Sequence, residues 1–245
     1  MTLLSVNVNK VATLRNSRGK NQPDVIQTAL DLVKFGAQGI TVHPRPDERH
    51  IRKGDVYALK EVLAVELNVE GYPSEEFLRL VCDVRPAQAT LVPDPPHAIT
   101  SNAGWDVSQH VEFLLRTCER LQAVGIRTSL FLDPFNFTAA TLAAVLRTGT
   151  DRVELYTEAY ADAYPTPQCP EVLARYVAVA KELSGQGVEL NAGHDLNLHN
   201  LATFAQALPR LNEVSIGHAL VCDALYLGWE KTIAAYLAQL KRPID

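Results

Sequence analysis

Short apolar, β-branched runs recur along the chain, with amphipathic stretches between them. The runs are LLSVNVN (3–9), GITVHP (39–44), ELNVEG (66–71), ATLVP (89–93), RTSLFLD (127–133), RVELYT (152–157), VELNAG (188–193) and EVSIGH (213–218), eight in all. Each reads as a strand of a parallel sheet covered on both faces. Between them, Val107, Val111, Leu114, Cys118, Leu121 and Val124 recur at spacings of three and four, predicting a helix over 107–124 with Asp106 as N-cap. A second helix starts after Pro23 at Asp24, and a third at Ser74-Glu75-Glu76, acidic at its positive end. Gly36, Gly125 and Gly187 stand where such helices stop and a strand begins.

Eight strand–helix pairs in 245 residues predict one α/β domain over 1–245, a single (β/α)₈ barrel with additional helices. An open doubly wound sheet is the competing fold, but no G-x-G-x-x-G follows the first strand. Two connections look like long loops, 10–23 after strand one and 158–170 after strand six.

The composition is that of a globular chain, with 47% hydrophobic and 21% charged residues. A net charge of −5 gives no general attraction to nucleic acid or anionic membrane, so phosphate must be held by a few placed cations and N–H groups. Cys82, Cys118, Cys169 and Cys222 are far apart in sequence, and this spacing suggests neither a zinc site nor a disulfide framework. No basic, apolar leader precedes the first strand, and a reducing cytoplasm is the expected compartment.

In a barrel of this kind, chemistry sits at the C-terminal ends of the strands. There the chain places Asn7, Asn9 and Lys10, then His43 and Arg45, Glu70, Asp133, Glu154, Asn191 with His194, and Gly217 with His218. Singly, each has an ordinary reading: a strand-end His can be a hydrogen-bonded structural residue, and Glu70 can pair with an Arg or cap a helix. Glu154, between apolar neighbours, must find a buried partner or shift its pKa. Together, three imidazoles and two carboxylates at one mouth suit proton transfer near neutral pH. Arg15, Arg18, Arg45 and His50 are candidate phosphate holders, and Gly217-His218 opens a helix whose N-terminus can meet an anion. Arg49 and Arg52 read as a solvated helix face.

The strings VNVNKVATLRNSRG (6–19), GITVHPRPDERHI (39–51), LNVE (67–70), TLVPDPPHAITSNAGWDV (90–107), VELNAGHDL (188–196) and SIGHAL (215–220) resemble, in order and spacing, the pyridoxine 5′-phosphate synthase family. The resemblance runs from the first strand to the last helices. It implies a (β/α)₈ barrel, assembly as a homo-octamer, and a reaction without metal or organic cofactor. That reaction condenses 3-amino-2-oxopropyl phosphate with 1-deoxy-D-xylulose 5-phosphate to pyridoxine 5′-phosphate, phosphate and water. It further implies His43 and Glu70 as proton acceptors, His194 as proton donor and Glu154 as a transition-state stabiliser. Asn7, Arg18, Gly217 and His218 match contacts to the amino-ketone phosphate; Arg45, His50 and Thr100 match contacts to the deoxyxylulose phosphate.

Two departures stand out. Asn9-Lys10 replaces an Asp-His pair common in the family, at positions that touch the deoxyxylulose phosphate. Asp195 stands where Gly is common; contact with substrate through its N–H would be mild, whereas a carboxylate facing a phosphate would repel it. Other readings are a different phosphate-handling barrel, an isomerase or a Lys10 Schiff-base aldolase, and a binding protein that kept the fold without turnover.

Overall fold

The computed structural model describes residues 1–94 and 103–241. Eight parallel strands close on themselves in chain order: β1 (Leu3–Asn7), β2 (Gly39–Val42), β3 (Glu66–Gly71), β4 (Gln88–Leu91), β5 (Arg127–Leu132), β6 (Arg152–Leu155), β7 (Glu189–Gly193) and β8 (Leu211–Ile216). The closing pair sets Leu4 opposite Val214 and Val6 opposite Ile216. Every strand is therefore paired on both sides, and no sheet edge is exposed.

The helices are α1 (Asn9–Asn16), α2 (Val25–Lys34), α3 (Lys53–Val62), α4 (Glu75–Val84), α5 (Val107–Gln122), α6 (Ala139–Thr148), α7 (Glu158–Ala163), α8 (Cys169–Gly185), α9 (Leu201–Ala207), α10 (His218–Leu227) and α11 (Trp229–Leu240). Their starts follow the capping read from sequence. Asp24 accepts from the Ile26 and Gln27 N–H groups, Ser74 from Phe77 and Asp106 from Gln109. Gly36, Gly125 and Gly187 lie at φ +114°, +81° and +86°, where a side chain would be strained.

The two long connections, expected as loops, are partly helical: α1 takes the first up to Asn16, and α7 takes residues 158–163 of the second. Residues 10–16 belong to α1, whose buried face is Val11, Ala12 and Arg15. A charged residue in a core position breaks the apolar stripe, so periodicity alone reads this segment as polar. Arg15 is tolerated because Asp55 holds Nη1 at 2.6 Å and the His50 carbonyl accepts from Nη2 at 3.0 Å. It braces α1 against the β2–α3 connection and is not a phosphate holder. After β6, α7 buries Tyr160 and Ala163, and Pro170 fits the opening turn of α8. Six of the eight expected strands also run one or two residues too far at their C-terminal ends, where the polar mouth residues begin; β3 and β7 end where expected.

Alternation along each strand separates two environments. Leu4, Val6, Ile40, Val42, Val69, Leu91, Leu130, Val153, Leu155, Leu190, Val214 and Ile216 are fully buried within the core shared by barrel and helices. The intervening positions are largely polar. Ser5 and Thr41 are 2.7 Å apart at their hydroxyls, Asn68 accepts from Thr90 at 3.0 Å, and Gln88 Oε1 accepts from Arg127 and Arg152 at 3.0 and 3.1 Å. At the N-terminal end, Arg127 pairs with Glu66, and Arg152 with Glu189 at 2.6 Å and Glu213 at 3.8 Å.

Candidate active site

The mouth of the barrel is assembled by short links between neighbouring strands. Asn7, ending β1, donates from Nδ2 to Glu70 Oε2 at 3.4 Å and accepts the Asn9 N–H on Oδ1 at 3.0 Å. Asn9 Oδ1 in turn accepts the His43 N–H at 2.9 Å. Asn9 thereby fixes the backbone after β2 from the first turn of α1. His43 Nδ1 lies 4.0 Å from Glu70 Oε2, with both side chains nearly buried. Asn7, Asn9, His43 and Glu70 thus form one contiguous group at the ends of β1, β2 and β3.

Burial and neighbouring charges push these two groups in opposite directions. His43 is held well below its ordinary pKa by burial first, then by Arg45, His50 and Arg49. Glu70 is pushed up to about 8 by burial, then by Asp94 and Glu213, against the pull of Arg45. At neutral pH His43 is therefore neutral and ready to accept a proton, and Glu70 is a carboxyl poised to become a base.

Arg45 is buried and bonded through Nη2 to Asp94 Oδ2 at 2.7 Å. Asp94 follows β4 at the position that other strands fill with a candidate residue, and reading strand ends would have found it. His50 lies with its ring centroid 6.3 Å from that of His43. Its Nδ1 accepts the Ile51 N–H at 2.9 Å, and burial with the charges of Arg45, Arg49 and Lys10 lowers its pKa to about 4. A cleft of about 540 Å³ beside the mouth is lined by His43, Arg45, Tyr72, Phe77 and Asp94, among others.

Across the mouth, Glu154 is buried in β6, and its Oε2 has no hydrogen-bond partner among the described residues. Burial, then Glu70 and Glu213, raise its pKa well above the ordinary value, while His194 opposes the rise. His194 follows β7, with the Tyr156 ring edge-on at 5.8 Å and Asp195 Oδ2 at 2.9 Å from Nδ1. The Asp195 N–H donates to Thr157 Oγ1 at 3.2 Å, so that group is already engaged and not offered to a phosphate. Gly217 packs on Asn7, a β-carbon there meeting the Asn7 β-carbon at 3.0 Å, and caps α10. This brings the N-terminus of α10, with its N–H groups, beside the first strand.

The remaining candidates are less tightly bound into this group. Lys10 is exposed in the first turn of α1, and Arg18 is exposed in the turn after it. The His218 side chain is exposed and directs Nε2 to Cys222 Sγ at 3.7 Å. Asp133 caps the short 3₁₀ turn Pro134–Asn136, accepting from Phe135 N–H at 2.9 Å. Arg52 is exposed at the N-cap of α3 and donates to Asn16 at 2.9 Å; Arg49 lies before that helix and pairs with Asp47 at 2.9 Å. Thr100 lies outside the described residues.

Glu213, at the other end of the barrel, gives a stability prediction. Burial pushes its carboxyl up to about 7, against Arg152 and Arg127. The native state therefore binds a proton that the unfolded chain has released above about 4.3. Its contribution is complete below that pH and is lost as pH rises through about 7, on the order of 3 kcal/mol. Glu213→Gln should flatten the fall of Tm between pH 5 and 8.5 and raise Tm at the alkaline end. An unchanged slope in thermal melts would reject this.

Comparison with known proteins places these features in a family. Residues 4–242 match the model of pyridoxal phosphate biosynthesis protein PdxJ. A pyridoxine 5′-phosphate synthase of Porphyromonas gingivalis is 57% identical over 240 residues, covering 98% of this chain and 99% of that one. The synthase of Cytophaga hutchinsonii is 50% identical over 242 residues, covering 99% and 100%. Among solved structures, a 3-keto-L-gulonate-6-phosphate decarboxylase from Vibrio cholerae superposes with a TM-score of 0.67 at 12% identity, over 98% of this chain and 97% of that one, a likeness of fold alone.

Proposed function

Because the chain belongs to the PdxJ family of pyridoxal phosphate biosynthesis proteins, we propose that it is a pyridoxine 5′-phosphate synthase, an enzyme of vitamin B6 biosynthesis. It condenses 3-amino-2-oxopropyl phosphate with 1-deoxy-D-xylulose 5-phosphate, releasing phosphate and water. The observation that carries the reading is the pair His43–Glu70 at 4.0 Å, facing His194 and Glu154 across one mouth.

The chemistry explains why such a set is wanted. The substrate amine attacks a ketone, and the resulting carbinolamine loses water to give an imine. Protons then leave carbon, one phosphate and hydroxyl groups are eliminated, and a carbon–carbon bond between the two substrates closes the ring. Each step needs an acceptor and a donor placed together. His43, neutral at working pH, and Glu70, in its ionised fraction, take these protons. His194 protonates the departing oxygens. Glu154, held toward its neutral form by burial at rest, ionises to steady positive charge that develops on the nitrogen. Asn7, Arg18 and the Gly217-His218 helix start hold the amino-ketone phosphate; Arg45, His50 and Thr100 hold the other. Asn9 serves through the His43 backbone, and exposed Lys10 adds a cation at the rim. Lys10 lies exposed at the rim, and the substrate brings its own amine, so the reaction needs no Schiff-base lysine. Holding both substrates in register supplies much of the rate.

Purified protein given both substrates at neutral pH should form pyridoxine 5′-phosphate and release phosphate; failure to form either would defeat the reading. Arg18→Ala should raise KM for the amino-ketone phosphate about tenfold with little change in kcat, the loss of one charge-assisted contact. An unchanged KM would remove Arg18 from that role.

The whole chain, 1–245, acts as one catalytic barrel in this reading. Among the described residues no helix is long and apolar enough to cross a membrane. Assembly as a homo-octamer in the cytoplasm belongs to the same proposal; the exposed Leu225, Tyr226 and Leu227 at the end of α10 support contact with further copies.

A further inference from the structure

His194 ends β7 on a turn that its surroundings fix from several sides. Gly193 packs so closely on the Ser215 carbonyl that a β-carbon would strike it. The Gly193 carbonyl accepts from Thr157 Oγ1 and from the Leu196 N–H, and Thr157 Oγ1 accepts the Asp195 N–H at 3.2 Å. His194 has φ +37°, which a non-glycine residue keeps only where its neighbours impose it. From this turn Asp195 folds back on its neighbour, placing Oδ2 2.9 Å from His194 Nδ1.

We propose that Asp195 is a positioning residue for His194, its carboxylate holding the Nδ1 proton so that the ring delivers a proton to substrate from Nε2. The proposal rests on reading His194 as the proton donor. An acceptor on Nδ1 fixes the tautomer and the ring direction, as a buried Asp does for other catalytic imidazoles. It also favours the protonated ring. Burial disfavours that charge, but the Asp195 hydrogen bond and charge, with Glu154 from β6 and Asp94 beyond β4, raise the His194 pKa above its ordinary value. Tyr156, also against the ring, donates its hydroxyl to Glu158 and is held neutral by burial and that bond. A free imidazole has lost most of its proton at neutral pH, so a donor gains from such a partner.

This accounts for a carboxylate so near a phosphate-handling mouth. Paired with an imidazolium, Asp195 adds no net negative charge there. It also separates two roles that sequence position leaves merged: contact with substrate, and support of a residue that makes contact.

The test compares the full-length protein with Asp195→Asn and Asp195→Ala. Asn keeps an acceptor for the Nδ1 proton without the charge; Ala removes both. NMR titration of the His194 imidazole should show its pKa falling by about one unit in Asn and at least as far in Ala. The alkaline limb of kcat should move down by the same interval, so that kcat measured on that limb falls about tenfold in Asn. KM for each phosphate substrate should stay within about twofold, since positioning acts on turnover and not on binding. An unmoved His194 pKa overturns the proposal, as does a raised KM with an unmoved alkaline limb. The titration needs no substrate. A lowered pKa in a protein that makes no pyridoxine 5′-phosphate would count for the pair and against the reaction.

Discussion

Replacing Glu70 by glutamine should lower kcat by about three orders of magnitude while leaving the barrel folded. Gln has the same shape, and its carbonyl can still accept from Asn7 Nδ2, which now meets Glu70 at 3.4 Å. What it lacks is basicity. Glu70 titrates at about 8 because it is buried near Asp94 and Glu213, so the fraction able to take a proton grows as pH rises toward that value. On the acid side of the pH optimum the wild-type rate should climb with that fraction, and the variant's residual rate should not. The buried carboxyl also costs stability once ionised, since its folded pKa lies above the unfolded value near 4.3. Glu70→Gln should therefore melt no lower than wild type at neutral pH, and higher at alkaline pH. A kcat near wild type, measured by phosphate release, would remove Glu70 from the proton relay.

His194→Asn should have an effect of similar size for a different reason. The turn at φ +37° restricts the choice of replacement, and Asn is among the few residues that accept the left-handed region. The variant should keep its circular dichroism and melt within a few degrees of wild type. Its amide cannot deliver a proton, so kcat should fall about 10²- to 10⁴-fold, and the alkaline limb set by the imidazole should disappear. KM should change little, because the proposed phosphate cradles lie elsewhere, at Asn7, Gly217 and Arg45. Loss of fold, or a retained alkaline limb, would mean that another group donates the proton.

The barrel was legible in the sequence because its outward strand positions are largely apolar and its helix starts carry Asp24, Ser74 and Asp106. What misled was polarity in structural positions. Arg15 fills a core position of α1 through its pairing with Asp55, so the helix looked like a loop and the arginine like a ligand. The candidate site was legible as a set of strand ends, since a parallel barrel sends them all to one mouth. Partnerships within it were not. No spacing rule shows that Asn9 serves the His43 backbone, that Arg45 is paired with Asp94 across the β2–β4 gap, or that Asp195 turns back to its neighbour. These depend on side-chain direction after the strand ends, which one-dimensional periodicity does not carry.

The alternation of apolar outward and polar inward positions has a consequence for how the molecule can change. Each strand carries two interleaved texts, one read by the surrounding helices and one by whatever enters the barrel. Neighbours such as Val153 and Glu154, or Leu190 and Asn191, belong to different texts although they are adjacent in the chain. Because the two sets leave opposite faces of the sheet, substitutions taken from each at well-separated positions should combine additively. The same backbone could then be given new chemistry at its mouth without renegotiating its stability, and new stability without disturbing its chemistry.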